Sequence, residues 1–264
     1  MSTIQKTTAQ VQPTDITQEA ATHSSEAPDA WEPLQKILVI LAHPDDPEFF
    51  CGASIARWTK AGHEVVYWLL TCGDKGTSDR TLNSDELCCL RQREQRAAAA
   101  RLGVNEVHFL GHPDGYLVPD LSLRKEVTRI IRQVQPDVLV TCDPTTLYVG
   151  DNRLNHPDHR ACGQVVLDAV FPAARDHLNF IELWRDEHLE PHNVREVWIS
   201  GSLQPTVQLD VTEHWDTKIK ALWEHRSQIG DPARLEERIR SRLAPGTSLE
   251  NPRYEEAFRR IIFD

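Results

Sequence analysis

Lys36-Ile37-Leu38-Val39-Ile40-Leu41-Ala42-His43-Pro44-Asp45-Asp46 is the stretch on which the fold is decided. The unbroken aliphatic run from Ile37 to Ala42 predicts a central parallel strand covered on both faces. The polar group that follows then lies beyond the carboxyl end of that strand, where open α/β sheets bind their ligands. Far downstream, His156-Pro157-Asp158-His159 repeats the same residue types. Together the two clusters offer imidazole nitrogen and carboxylate oxygen, the donors a catalytic zinc takes from three protein ligands while keeping a water.

Working outward, Phe50 to Lys60 reads as a helix closed by Gly62, followed by a strand from Glu64 to Thr71, which makes a βαβ crossover. A polar loop, Cys72 to Asp85, opens a long helix through Arg91, Glu94 and Ala97 to Leu102, stopped by Gly103, before a strand from Glu106 to Leu110. Gly111 to Gly115 is a turn signal, Leu121 to Val134 is an amphipathic helix ending before Pro136, and Asp137 to Cys142 makes a fourth strand. The alternation predicts an α/β fold: a Rossmann-like three-layer sandwich with a mainly parallel sheet, ordered 3-2-1-4 plus C-terminal strands. In that order strands one and four flank the switch point, so the two clusters meet across one crevice.

Beyond His156, Arg160 to Val170 is helical in period, and Arg175 to Arg195 carries no readable pattern. Val194 to Ser200 and Thr206 to Leu209 are expected as short strands, Thr212 to Gln228 as a helix with Thr212 at its N-cap, and Pro232 to Arg242 and Tyr254 to Ile262 as two more helices. Residues 1–33, rich in Thr, Gln, Ala, Ser and Glu, have the composition of a disordered tail. Residues 34–264 are expected to form a single α/β domain with a C-terminal helical extension.

The chain of 264 residues is 40% hydrophobic and carries a formal net charge of -11, with 40 acidic against 29 basic residues. That balance argues against nucleic acid or an anionic membrane as a partner. No apolar stretch has the length of a membrane span, and the N-terminus shows no leader pattern, so a cytoplasmic protein without membrane insertion is expected. Homo-oligomerisation is left open. The six cysteines, Cys51, Cys72, Cys88, Cys89, Cys142 and Cys162, form no CxxC pair. They suggest neither a thiolate zinc site nor a disulfide framework, and most are expected as small core residues. Only the vicinal Cys88-Cys89 pair invites a redox assay. No Gly-x-Gly-x-x-Gly follows the first strand, which argues against a dinucleotide site.

His156 and His159 are three apart with Pro157 suited to the first helical position, so both imidazoles can project from one face of an opening turn. One can bind metal while the other faces substrate. The adjacent carboxylates Asp45 and Asp46 should divide their work: one ligates, and the other stays free to take a proton from an activated water. A divalent cation removes their mutual repulsion. His63, His108 and His112 have no comparable partners and are expected as surface or loop histidines.

These residues resemble the PIG-L/LmbE family of zinc-dependent de-N-acetylases. The resemblance rests on the opening stretch together with Ala61-Gly62-His63-Glu64-Val65, Thr71-Cys72-Gly73-Asp74-Lys75-Gly76 and Arg93-Glu94-Gln95-Arg96-Ala97-Ala98-Ala99 with Leu102-Gly103-Val104. It continues through Phe109-Leu110-Gly111-His112-Pro113-Asp114-Gly115 and His156-Pro157-Asp158-His159-Arg160, covering roughly residues 36–172. It implies a Rossmann-type domain that removes acetyl groups from N-acetylglucosaminyl substrates. It further implies one Zn²⁺ per chain, or another divalent cation, held by His43, Asp46 and His159, with Asp45 as general base and His156 steadying the oxyanion. Asp114 sits where family members contact the sugar, and an arginine of the Arg91/Arg93 helix, taken as Arg93, is expected to do the same.

Two departures stand out. Pro47 intervenes before the acid Glu48, and Leu154 occupies the place of a tyrosine that assists the oxyanion in some members, with Tyr148 as the substitute on offer. The expected reaction is amide hydrolysis, in which the metal polarises the acetyl carbonyl and lowers the pKa of its water to about 7. Asp45 takes the proton, and Asp45 or His156 returns one to the leaving amine. A cationic His156 is disfavoured by the helix N-terminus, with Asp158 as its nearest counter-charge. The expected partner is a small N-acylated amino sugar. Rival readings are a zinc amidase acting on a thiol conjugate, a phosphoester hydrolase using Lys75, and a non-catalytic zinc or sugar-binding module.

Overall fold

The computed structural model describes residues 27–263. The aliphatic run forms β1 (Lys36–Leu41), buried from Ile37 onward. There follow α1 (Asp46–Lys60), β2 (Glu64–Thr71), α2 (Ser84–Arg101), β3 (Glu106–His112), α3 (Leu121–Val134), β4 (Val138–Cys142), a small hairpin of β5 (Tyr148–Val149) and β6 (Arg153–Leu154), and α4 (Pro157–Val170). The C-terminal part adds α5 (Ile181–Arg185), β7 (Glu196–Ser200), β8 (Val207–Asp210), α6 (Trp215–Leu222), α7 (Arg226–Ile229), α8 (Pro232–Arg240) and β9 (Glu255–Ile262).

The strands form a seven-stranded sheet in the order β3-β2-β1-β4-β7-β9-β8, parallel from β3 through β7, with β9 antiparallel to both of its neighbours. The expected 3-2-1-4 core is therefore present, and winding reverses between β1 and β4, which pair directly. Helices α1, α2 and α6 pack together, and α3 packs on α4. Right-handed crossovers put the two groups on opposite faces of the sheet. Both clusters accordingly end at the same sheet edge, one after β1 and the other at the start of α4.

The contact between α4 and β4 is unusually close. A Cβ on Gly163 would lie 2.2 Å from the carbonyl oxygen of Cys142 and 2.9 Å from the nitrogen of Pro144. Only glycine lets the helix settle there, one turn beyond His159.

Several expectations change. Residues 1–26 of the expected tail lie outside the described residues, but the segment from Ala27 to Pro33 is docked. The Trp31 ring lies 5.4 Å from Trp198 and 5.7 Å from Trp58, and its Nε1 donates to Glu196. Tyr254 to Ile262 is not a helix: Glu255–Ile262 is the strand β9. Its alternation is concealed because one inward position is Glu256, whose charge is met by Lys218 at 2.6 Å and by the hydroxyl and amide of Ser54. The expected helix from Thr212 to Gln228 breaks between α6 and α7, and Thr212 caps nothing; its hydroxyl donates to Asp210. His63 is buried, accepting from the Gln35 amide at 3.0 Å. The unread 175–195 segment wraps around Arg132, whose guanidinium donates to the carbonyls of Ala173, Asp176 and Asn179.

Contrary to the expectation of unpaired thiols, Cys72 and Cys88 form a disulfide. Cys72 directly follows β2 and Cys88 lies in an early turn of α2, and the polar loop between them folds back on itself, bringing the Cα atoms to 5.1 Å. A separation of 16 residues within one loop carries no framework pattern that sequence alone could register. Cys51, Cys142 and Cys162 are buried and Cys89 is exposed. Among the described residues no helix is long and apolar enough to cross a membrane.

Candidate metal centre and active site

β1 ends at Leu41, and the chain turns at His43-Pro44-Asp45 to enter α1 at Asp46. The Asp46 carboxylate folds back to accept from the His43 amide at 2.8 Å. On the other side of the switch point, His156 is the N-cap of α4, and Pro157 opens the helix. His159, in its first turn, then faces His43.

His43 Nδ1 and His159 Nε2 lie 3.3 Å apart. Asp46 closes the triangle, 3.4 Å from the first nitrogen and 3.0 Å from the second. A tetrahedral zinc with ligands at about 2.0–2.1 Å requires ligand-to-ligand edges of about 3.3 Å. The other nitrogen of each ring is already engaged: His43 Nε2 lies 3.2 Å from Asp158, and His159 Nδ1 lies 3.0 Å from the Asn155 side-chain oxygen. With the facing nitrogens deprotonated, both rings would donate outward and turn their lone pairs toward the Asp46 carboxylate between them, the donor set of a divalent cation site.

The charges agree. Burial disfavours the cationic form of His43, but the carboxylates of Asp114, Asp158 and Asp46 outweigh it and push the imidazole up to about 12. Burial likewise opposes ionisation of Asp46, yet His159 and His43 hold it well below the usual carboxylate range. His159 is raised by Asp46 despite its burial. A cluster that binds protons this strongly is one from which a cation must displace them.

Asp45 is not a member of this triangle. Its carboxylate receives Arg91 at 3.3 Å, and burial, reinforced by the neighbouring charge of Asp46, pushes it up to about 6. Arg91 is itself buried, donating to the carbonyls of Pro44 at 2.8 Å and Gly73 at 3.1 Å, with its Nη1 3.7 Å from Asp114. A side chain on Gly73 would strike that guanidinium, since a Cβ there would lie 2.3 Å from Nη1.

The positions anticipated from sequence fall out as follows. His43, Asp45, Asp46, His156, His159, Asp114 and Asp158 converge on the crevice. Arg93 does not: it is exposed, and Arg91 is the arginine that enters. Asp158 is fully buried and serves His43, not His156, while also accepting the amides of Gly115 at 2.7 Å and Leu117 at 3.2 Å. The charge nearest to His156 Nε2 is instead Asp114, at 3.7 Å. His156 Nδ1 accepts the Asp158 amide, so its Nε2 is the nitrogen left to carry a proton. Burial and the positive fields of His43 and His159 lower its pKa.

Tyr148 and Leu154 pair across the small hairpin, both exposed to solvent. Lys75 is occupied by Asp74 at 2.7 Å and lies over the Tyr116 ring. Glu48 is wholly buried and bonded to Gln95 and His225. Sequence reasoning passed over Asn155, Gln95 and His225; of these only Asn155, four residues before His159, had a local signal.

A GlcNAc-PI de-N-acetylase (PIG-L) family model matches residues 38–170. Diacetylchitobiose deacetylase of Thermococcus kodakarensis is 33% identical over 196 residues, covering 74% of this chain and 71% of that protein. A 1D-myo-inositol 2-acetamido-2-deoxy-alpha-D-glucopyranoside deacetylase of Actinosynnema mirum is 28% identical over 74% of this chain and 81% of its own length. Among solved structures, N,N'-diacetylchitobiose deacetylase from Pyrococcus horikoshii superposes with a TM-score of 0.79 at 30% identity, covering 90% of this chain and 88% of that one. The hydratase GalB of Pseudomonas putida shares the fold at a TM-score of 0.63 and 21% identity, so the fold alone does not select the reaction. On the family match and these identities, the chain belongs to the GlcNAc-PI de-N-acetylase (PIG-L) family.

Proposed function

We propose that this protein hydrolyses the acetamide of a small N-acetylglucosamine-type substrate, with zinc bound by His43, Asp46 and His159. The observation that carries the reading is the convergence of those three donors beside a carboxylate, Asp45, that pairs with Arg91 and not with them. When bound, the ion supplies Lewis-acid polarisation and an acidified water. Asp45, raised to about 6, accepts the proton of the attacking water near neutral pH and is then the acid that returns it to the leaving amine. His156, neutral and protonated at Nε2, donates to the oxygen on which negative charge develops. Arg91 and Asp114, held at 3.7 Å from one another, present a donor and an acceptor to sugar hydroxyls.

A cytoplasmic setting belongs to the same proposal; there Cys72 and Cys88 would be reduced, since disulfides are rare in that compartment. The test is release of acetate and free amine from a panel of N-acetylglucosaminides, including disaccharide, inositol-linked and thiol-precursor members, alongside phosphoesters and with metal content measured in parallel. Release of acetate by the metal-loaded protein supports the reading. A metal-loaded protein that binds these sugars and releases nothing would be a binding module instead.

A further inference from the structure

Asp45 adopts φ 90° and ψ -26°, in the left-handed region. A residue with a side chain stays there only where its surroundings hold it. What holds the Asp45 amide is the side-chain oxygen of Gln95, at 2.7 Å. The orientation of that amide group is not arbitrary: its nitrogen donates to both carboxylate oxygens of Glu48, each at 3.0 Å. A backbone N–H only donates, so the Gln95 oxygen must face Asp45 and its NH₂ must face Glu48. Glu48 in turn lies 3.0 Å from His225 Nε2.

Gln95, Glu48 and His225 are all fully buried. His225 Nδ1 has no partner, so the contact with Glu48 is the polar anchor of the ring. The chain breaks between α6 and α7 at this residue, turning the imidazole inward from a part of the protein beyond residues 38–170. A buried imidazole with one free nitrogen is expensive to keep and calls for a reason.

We infer that Gln95, Glu48 and His225 form a buried brace that fixes the Asp45 backbone and thereby aims its carboxylate, making them positioning residues for the hydrolysis. The inference rests on the proposed role of Asp45 as base. Within a catalytic constellation, a displacement of about 1 Å costs about 100-fold in rate, so the loss of one brace member should appear in kcat and leave the metal in place.

The experiment compares zinc-loaded wild type with Gln95→Met, His225→Leu and the conservative His225→Gln. It measures zinc content, KM and kcat on an N-acetylated sugar, and hydrogen exchange at the Asp45 amide by NMR. Zinc content and KM should hold, kcat should fall about tenfold or more in Gln95→Met and His225→Leu, exchange at Asp45 should accelerate in both, and His225→Gln should recover most of the loss. Wild-type kcat in folded, zinc-loaded His225→Leu overturns the brace, as does a kcat that falls only in proportion to lost zinc. Should His225→Leu not fold, Gln95→Met decides by the same readings. If wild type releases no acetate from any sugar, the base assignment fails, and exchange still judges the brace: faster at Asp45 in the variants supports it, and unchanged exchange refutes it.

Discussion

Arg91 and Asp45 are joined at 3.3 Å beneath the crevice, so the carboxylate proposed as base takes its ion-pair partner from α2 and not from the histidines that engage Asp46. The contact separates two adjacent aspartates. Asp46 is committed to His43 and His159, whereas Asp45 has a cation that orients it without consuming both of its oxygens.

Replacing Asp45 with Asn should leave zinc bound and reduce kcat/KM about 1,000-fold, the middle of the range for general base catalysis. Metal analysis and acetate release on the same preparation check this. Near-normal turnover would remove Asp45 from the mechanism.

The acid limb of activity should follow the Asp45 carboxyl. It works ionised, so kcat/KM should rise with pH through about 6 and be lost below it. Arg91 is among the charges that lower that pKa, so Arg91→Ala should move the limb to higher pH as well as weaken turnover. A pH-rate profile unchanged by Arg91→Ala would contradict this coupling.

Arg93 and Arg91 supply an internal control. Arg93→Ala, on the exposed face of α2, should leave kcat/KM at the wild-type value. Arg91→Lys loses the forked geometry that reaches Pro44, Gly73 and Asp45 together, and should lower kcat/KM about 10- to 100-fold. Steady-state kinetics on the two variants distinguishes them.

Metal retention should rank the histidines. His159→Ala and Asp46→Ala should lose zinc, and His156→Ala should keep it. Asp158→Asn, which weakens the support behind His43, should lower affinity about 10- to 100-fold. Because the ligating imidazoles must give up protons, competition titrations should find weaker binding as pH falls.

The buried pair of Lys218 and Glu256 offers a test away from the crevice. Lys218→Met leaves Glu256 without its cation and should destabilise the fold by about 3–5 kcal/mol. Denaturant unfolding reads this directly, and a loss under about 1 kcal/mol would mean that the amides and hydroxyl around Ser54 suffice.

The sheet order and the meeting of the two clusters were legible because both follow from one aliphatic run and a count of alternating elements. The phase of α2 was not. Arg91 and Arg93 lie about 200° apart around a helix, and choosing between them requires knowing which face carries the buried Gln95. β9 escaped because its inward position, Glu256, is charged, and the partner that makes this tolerable lies on α6. His225 gave no local sign, since its meaning comes from Glu48, at the other end of the domain in sequence. Such residues are readable only once tertiary contacts define what they face.

Gly163 has a consequence for where His159 stands. With no room for even a methyl group between α4 and the Cys142 carbonyl, the tightness of helix-on-sheet packing sets how near the first turn of α4 comes to the end of β1. Alanine at position 163 would lever that turn outward and draw His159 off His43 and Asp46 while leaving all three side chains in the sequence untouched.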